Sequence, residues 1–483
     1  MRRPVNLFAL LLATPALSLA QAKAKAKPDA AAPVLAALDA KSTHYAEVAK
    51  SIWGFAEVGY QEYKSSALLR RELASAGFRV DSGVAGIPTA FTATYGSGKP
   101  VIGIVGEFDA LPGLSQDAAP DKHPIVDGAP GHGCGHHLFG TASTAAAIAV
   151  KEWMAANKIT GTVRFYGTPA EEGGSGKVYM VRDGLFADVD AVVAWHPGDA
   201  NSVDANSVLA NVSAKFRFHG VSAHAAGAPD KGRSALDAVE AMDNMVNMMR
   251  EHVPQETRIH YVITNGGRAP NVVPDFAEVY YYARHNDMRV LGDIWDRIVN
   301  AAKGAALGTG TTMDLEVIGA TWNVLPNEYL SHLQHQSLER VGGYQYTAEE
   351  KAFAERLRTS LQGNLPPLEN ASMVLPWEGG KVDMASSDMG DVSWTVPTVQ
   401  LSAATWVPGT PAHSWQAVAA GGMSIGAKGM MVAAKTMTLT AMALLSDSTH
   451  IQKARAEFDQ RRGSGFVYKT RLEGRKPALD YRK

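Results

Sequence analysis

Cysteine is nearly missing. The 483 residues hold one, Cys134, so an internal disulfide is excluded. That thiol is an inert buried group, an intermolecular partner, a nucleophile or a metal ligand. Charge is sparse as well: charged residues make up 19% of the chain, and the formal net charge is -2. Such a balance gives no reason to expect nucleic acid or an anionic membrane as a partner. Beyond its first residues the chain shows no apolar run long enough to span a bilayer. No internal repeat recurs along it.

What is present begins with MRRPVNLFALLLATPALSLAQA. Arg2 and Arg3 form a positive start, Val5 to Leu19 is mostly apolar, and Ala20-Gln21-Ala22 is a small-x-small cleavage site. This reads as a signal peptide over 1–22, with export to the periplasm or beyond the cell as its consequence. Residues 23–33 (KAKAKPDAAAP) read as a disordered spacer. Hydrophobic residues are 46% of the chain, enough for a packed core, and the length fits two domains or one domain carrying an insertion.

Three apolar runs each end in metal-competent groups. Val101 to Val105 is followed by Glu107 and Asp109. Thr162 to Tyr166 is followed by Glu171 and Glu172, and Ala191 to Trp195 by His196. Continuous apolar runs of this length fit strands buried on both faces. Open α/β sheets build their sites at the carboxyl ends of such strands. Between the first two lies GHGCGHHLFG, with His132 and His136 two residues either side of Cys134, and His137 directly after His136. Thiolate and imidazole are both first-choice ligands for zinc and similar metals. Thr141 to Asn157 reads as a helix. The GGSGK after Glu172 has the wrong spacing for a phosphate loop, and Val178 stands where Ser or Thr is needed.

The texture changes near Ser213. KFRFHG alternates with a period of two, and a strand-helix-strand-strand-helix-strand order follows. This indicates a small α+β unit over 213–325, inserted between two parts of a main domain at 34–212 and 326–449. Residues 450–483 are basic and turn-rich, and read as a peripheral extension without chemistry.

Taken together, the segments WGFAEVGYQE, GEFDALPGLSQ, GHGCGHHLFG, GTPAEEGG, AWHPGD, GVSAHAAGAPDKGRSALDA, GGRAPNVVPDFAEVYYYAR, SSDMGDVSW and GTPAHSWQ resemble the metal-dependent aminoacylase and carboxypeptidase family. The likeness runs from Trp53 to Gln416 and is nearest to the p-aminobenzoyl-glutamate hydrolase group. It implies an α/β fold with a mixed, mainly parallel sheet sandwiched by helices, and makes the inserted unit a lid and dimerisation domain.

The resemblance further implies two divalent metal ions, zinc or manganese with cobalt as a third option, held by Cys134, His136, Glu172, His196 and His413. Cys134 stands at the bridging position and Glu171 at that of the general base. His224 matches a lid histidine that reaches the partner subunit's site. Asn271 and Arg284 match positions that bind the substrate carboxylate or stabilise the oxyanion, and Asp109 matches a carboxylate that orients a ligand. His137 stands where many relatives have Asp or Asn. The implied reaction is hydrolysis of the amide bond of N-acyl or N-aroyl amino acids, in a homodimer or with a homologous partner subunit. A dipeptidase or carboxypeptidase on short peptides is the alternative within that chemistry. A hydrolase using Cys134 as nucleophile and a binding protein without catalysis are alternatives outside it.

Overall fold

The computed structural model describes Met1, residues 31–472 and residues 474–482. The expected signal peptide and most of the expected spacer lie outside the described residues. The end of that spacer is ordered: Ala31 is buried, and the helix Ala32–Ala40 takes Pro33 into its first turn, where a missing N–H costs nothing.

The strands are β1 Arg79–Ser82, β2 Phe91–Ser97, β3 Val101–Gly106, β4 Gly161–Gly167, β5 Ala191–Gly198, β6 Ser202–Val208, β7 Ala210–His219, β8 Arg258–Asn265, β9 Phe276–His285, β10 Thr312–Thr321, β11 Glu378–Asp383 and β12 Thr398–Ala404. Eight form one sheet in the order β1-β2-β4-β3-β5-β12-β6-β11. Its centre, β4-β3-β5-β12, is parallel throughout. β2 runs antiparallel to β4, and β6 runs antiparallel to β12 and parallel to β11. The expected mixed, mainly parallel α/β architecture is what the chain forms.

The central strands are largely apolar because both faces are covered. Ile102, Ile104, Val163, Phe165, Val193 and Trp195 share one core with Leu138, Ala142 and Ala145 of the helix His136–Asn157 and Met437 of the helix Ser424–Ser446. The intervening Val105, Tyr166, Val192 and Ala194 share a second core with Val178, Met180 and Phe186. The helix Ser424–Ser446 is, against the reading of the sequence, long and apolar enough to cross a membrane, but 83% of its apolar window is buried inside the protein. It serves as a core helix.

Residues 210–321 carry the second sheet, in the order β10-β7-β9-β8. β9 alternates strictly: Ala277, Val279, Tyr281 and Ala283 are buried beside Val239 and Met242 of the helix Ala235–Met249 and Trp295 and Ile298 of the helix Met288–Thr309. The period of two puts Tyr280, Tyr282 and Arg284 on the opposite face.

The segment expected to be a peripheral extension is not peripheral. The helix Ser448–Arg462 buries Ala454 and Phe458, and Leu472 is buried beyond it. Phe466 and Tyr468 pack on Trp322, and Tyr468 donates to Asp391 at 2.5 Å. The apolar residues that carry this packing are spaced too widely for a periodicity reading to show.

Candidate metal centre

All four central strands end at one edge of the sheet, and each delivers a polar group there. β3 runs into Glu107 and Asp109, β4 into Glu171 and Glu172, β5 carries His196, and β12 leads by a loop to His413. The sequence reading found three of these strands; β12, with Gln400 and Ser402 interrupting its apolar residues, was missed. Cys134 and His136 reach the same edge at the start of the helix His136–Asn157, which begins five residues earlier than expected. Its cap, Gly135, has φ +74, and a Cβ there would lie 2.7 Å from Cβ of Pro197. Only glycine meets both conditions.

The ligand atoms of Cys134, His136 and His196 lie within 4.8 Å of one another, as do those of Cys134, Glu172 and His413. The two groups share Cys134, so one thiolate is within reach of both. Cys134 Sγ is 3.5 Å from His196 Nε2, and Glu172 Oε1 is 3.1 Å from His413 Nε2. His413 holds φ +58, a strained value for a non-glycine residue, and its N–H donates to the Gly133 carbonyl at 2.8 Å.

The backbone and Asp109 aim these groups. His196 Nδ1 lies 2.7 Å from the Pro197 carbonyl oxygen, which fixes the proton on Nδ1 and leaves the Nε2 lone pair free. His136 Nδ1 lies 2.9 Å from Asp109 Oδ1, while Asp109 Oδ2 accepts from the Glu172 N–H at 2.9 Å. One carboxylate thus orients a ligand of each group. His136 Nε2 lies 3.1 Å from Glu107 Oε2, and His413 Nε2 lies 3.1 Å from Glu172 Oε1, so imidazole and carboxylate atoms crowd together. Imidazole, thiol and carboxylate groups gathered this closely are the donor types that a divalent ion takes. The donor set fits a metal centre.

Glu171 stands beside this set, in reach of Glu107 and His136. Burial, then the charges of Glu107 and Glu172, push its carboxyl well above the ordinary range. For Glu172 burial opposes ionisation, but the hydrogen bond to His413 and the charge of His136 prevail and hold it low. The two adjacent glutamates are thus driven apart in acidity. Their loop is strained: Ala170 and Ser175 sit at φ +57 and +59. Glu62 accepts from the Ala170 N–H at 2.8 Å, and the Tyr60 hydroxyl donates to the Gly174 carbonyl at 2.6 Å. Each left-handed non-glycine residue costs on the order of 1–3 kcal/mol, which these contacts offset.

His132 and His137 are no part of the centre. Their Nε2 atoms lie 3.1 Å from the Ile52 and Gly421 carbonyl oxygens, respectively. Sequence reasoning missed a buried cation beneath it. Lys177 is fully buried, with Nζ 2.7 Å from Glu107 Oε1 and 2.5 Å from Asp388 Oδ1. The signal was available: Lys177 follows the rejected glycine-rich turn, and Asp388 lies in SSDMGDVSW.

Cys134, Glu171, Glu172, His196 and His413 line a cavity of ≈ 690 Å³, and Arg284 lines it from the second sheet. Arg284 has no carboxylate partner among the described residues; its guanidinium lies 5.6 Å from the Tyr282 ring. Its cross-strand neighbour Asn211 also faces the cavity, with Oδ1 unpartnered. His224 and Asn271 come together elsewhere. The Ala225 N–H donates to the Asn271 carbonyl at 3.0 Å, and both residues are exposed, off the cavity wall. Nδ1 of His224 accepts from the N–H groups of Ala226 and Gly227, which leaves an outward Nε2–H donor.

Residues 103–413 match the model of peptidase family M20/M25/M40. The chain belongs to this family. It is 43% identical to one of the two kinds of subunit, the B type, of p-aminobenzoyl-glutamate hydrolase from Escherichia coli, over 88% of this chain and 94% of that protein. It is 27% identical to Xaa-Arg dipeptidase of Mus musculus, over 87% and 90%. In fold it resembles a dinuclear metal-binding peptidase of the M20 family from Bacillus subtilis, with a TM-score of 0.57 and 16% identity, covering 84% of this chain and 99% of that one. M20 membership makes this chain a hydrolase, in line with the reading of the sequence.

Proposed function

We propose that this M20 hydrolase cleaves the amide bond of N-acyl or N-aroyl amino acids, with p-aminobenzoyl-glutamate foremost. The observation that carries it is the pair of ligand groups sharing Cys134, with Glu171 alongside and an unpaired Arg284 across the cavity. Cys134, His136 and His196 would hold one divalent ion and Cys134, Glu172 and His413 the other, as zinc, manganese or cobalt. Such an ion pair, when bound, supplies Lewis acidity and lowers the pKa of water toward about 7. Glu171 takes the proton of the attacking water and delivers it to the leaving amine, assistance worth roughly 10²–10⁴-fold. Arg284 forks onto the substrate carboxylate, with the Asn211 amide beside it. The second sheet serves as a lid.

His224 and Asn271 enter this reading from the partner subunit of a dimer, His224 giving its Nε2–H to the carbonyl oxygen. The dimer surface is supported by the outer strand β8, where Val262 and Ile263 are 58% and 44% exposed on an unpaired sheet edge. A homologous partner subunit is the other assembly, favoured because the E. coli relative is named as one of two subunit types. Export follows from the residues read as a signal peptide. Burial pushes the Cys134 thiol up, opposite to what an activated nucleophile needs, which disfavours a cysteine hydrolase. Dipeptide hydrolysis by the same groups is the second reading, favoured by the likeness to Xaa-Arg dipeptidase.

The test is a panel of p-aminobenzoyl-glutamate, hippurate, N-acetyl amino acids, indole-acetyl-aspartate and dipeptides, each with and without chelator. Chelator-sensitive cleavage of the aroyl-glutamate is expected. Dipeptide cleavage alone favours the second reading; no cleavage by metal-loaded protein overturns the substrate assignment.

A further inference from the structure

The segment after the helix Ser448–Arg462 touches both the metal-ligand loop and the second sheet. Arg475 donates to the Val317 and Ile318 carbonyls of β10 and lies 3.3 Å from Glu316 Oε1. Its own carbonyl accepts from Arg182 at 2.6 Å. Farther along, the Leu479 carbonyl accepts from Gln61 at 2.8 Å. The Tyr481 hydroxyl then donates to the Glu172 carbonyl at 2.9 Å, and Arg482 donates to the same oxygen at 2.6 Å.

Both peptide planes flanking Glu172 are therefore held. Asp109 takes its N–H, and Tyr481 with Arg482 take its carbonyl. The direction in which the carboxylate leaves the backbone depends on these planes, in a loop whose conformation is strained. Room for Tyr481 is made by glycines far away in sequence. A Cβ on Gly59 would lie 2.2 Å from the Tyr481 hydroxyl oxygen, and one on Gly174 would lie 3.2 Å from it. The Tyr481 ring meets Tyr60 edge-on at 5.5 Å.

We propose that residues 475–482 are a strap whose Tyr481 and Arg482 position the Glu172 loop for metal binding, and whose Arg475 ties that loop to strand β10. The proposal rests on Glu172 being a metal ligand. Tyr481 and Arg482 touch no reacting atom; they act through Glu172.

The experiment uses the full chain, a chain stopped after Lys476, and the variants Tyr481→Phe, Arg482→Ala, Arg482→Lys and Gly59→Ala. Zinc affinity is read by competition with a chromophoric chelator. Hydrogen exchange over residues 170–175 of the metal-free protein is read beside it, with kcat and KM for the aroyl-glutamate. Supporting groups behind a metal ligand typically govern affinity or activity by about 10–100-fold. The shortened chain should lose about tenfold or more in zinc affinity, exchange faster over 170–175, and lose kcat with KM changed less than about twofold. Arg482→Ala should give part of that loss and Arg482→Lys should restore most of it. Gly59→Ala should mimic the shortened chain, and cost less in the Tyr481→Phe background, where the nearest atom it strikes is gone and only the looser contacts to Ala170 at 3.0 and 3.1 Å remain.

Wild-type zinc affinity and exchange in both the shortened chain and Gly59→Ala would overturn the strap. If the shortened chain unfolds, the Arg482→Ala and Arg482→Lys pair decides alone: equal zinc affinity in the two overturns it. Glu172→Ala separates the strap from the reading beneath it. Loss of zinc there with unaffected strap variants sinks the strap only, whereas normal zinc binding by Glu172→Ala removes the ligand assignment itself.

Discussion

The two sheets of this protein present polar residues in opposite ways. At the carboxyl edge of the large sheet, His136, Asp109, Glu107 and Lys177 are all buried, and each is aimed by another buried group. In the loops that leave the second sheet, His224 and Asn271 are exposed, and β8 leaves an edge unpaired among the described residues. The first region is over-determined within one chain. The second leaves its polar groups accessible among the described residues. Groups proposed to bind an ion need rigid surroundings; groups proposed to serve a second subunit need to stay accessible.

The largest expected effect breaks the first region at its chemistry. Glu171→Gln should keep metal but lose roughly 10²–10⁴-fold in kcat, because the proton acceptor is gone while the ligands stay. Metal analysis beside steady-state kinetics checks this, and normal turnover in a metal-loaded variant removes Glu171 as base. Cys134→Ser is its counterpart: loss of the shared ligand should cost both ions, and two ions bound per chain would falsify the bridging assignment.

Next comes the support beneath. Lys177→Met leaves Glu107 and Asp388 buried without their cation, which should destabilise the fold by about 3–5 kcal/mol. Urea unfolding reads it; an unshifted midpoint means that the carboxylates do not depend on Lys177.

Smaller effects sharpen the contrast with the second sheet. Ile263→Lys on the exposed edge should change stability by no more than about 0.5 kcal/mol while releasing monomers in light scattering. A dimer of unchanged strength places the interface elsewhere. A pH-dependent effect concerns Asp391, which burial raises to about 7 from the usual 3.8. A folded-state value above the unfolded one means that its stabilisation is full below about pH 4 and is lost as pH rises through 7. Thermal melts across that window should fall less steeply for Asp391→Asn than for the native chain, even though the variant starts lower for want of one hydrogen bond. Parallel slopes would show that Asp391 does not titrate there.

Much of the candidate metal centre was legible because several of its residues follow buried strands, and such strands announce themselves as unbroken apolar runs. Asp109, Glu171, Glu172 and His196 could be located that way. His136 and Cys134 could be located by their spacing. His413 needed the family resemblance, since the strand before it carries Gln400 and Ser402 and does not read as buried. Lys177 and Asp388 escaped because a buried ion pair is invisible until its partners, 211 residues apart, are brought together. Tyr481 and Arg482 escaped for a related reason. Their segment is basic and lacks periodicity, so composition argued for a surface extension, whereas its hydrogen bonds are made to backbone carbonyls, which carry no mark in any sequence.

By itself the sequence determined the elements and their chemistry: period-two and continuous apolar runs set strands half-buried or fully buried, and the residues that follow them set the ligand types. Only the tertiary structure decided which of these groups converge. It let Cys134 serve two ligand groups, set His132 and His137 against backbone carbonyls, and laid residues 475–482 across the Glu172 loop. The physical reason is range. Burial pattern and spacing act between neighbours along the chain. Metal ligation, buried ion pairing and backbone clamping act across a few ångströms of space between residues that the sequence holds far apart.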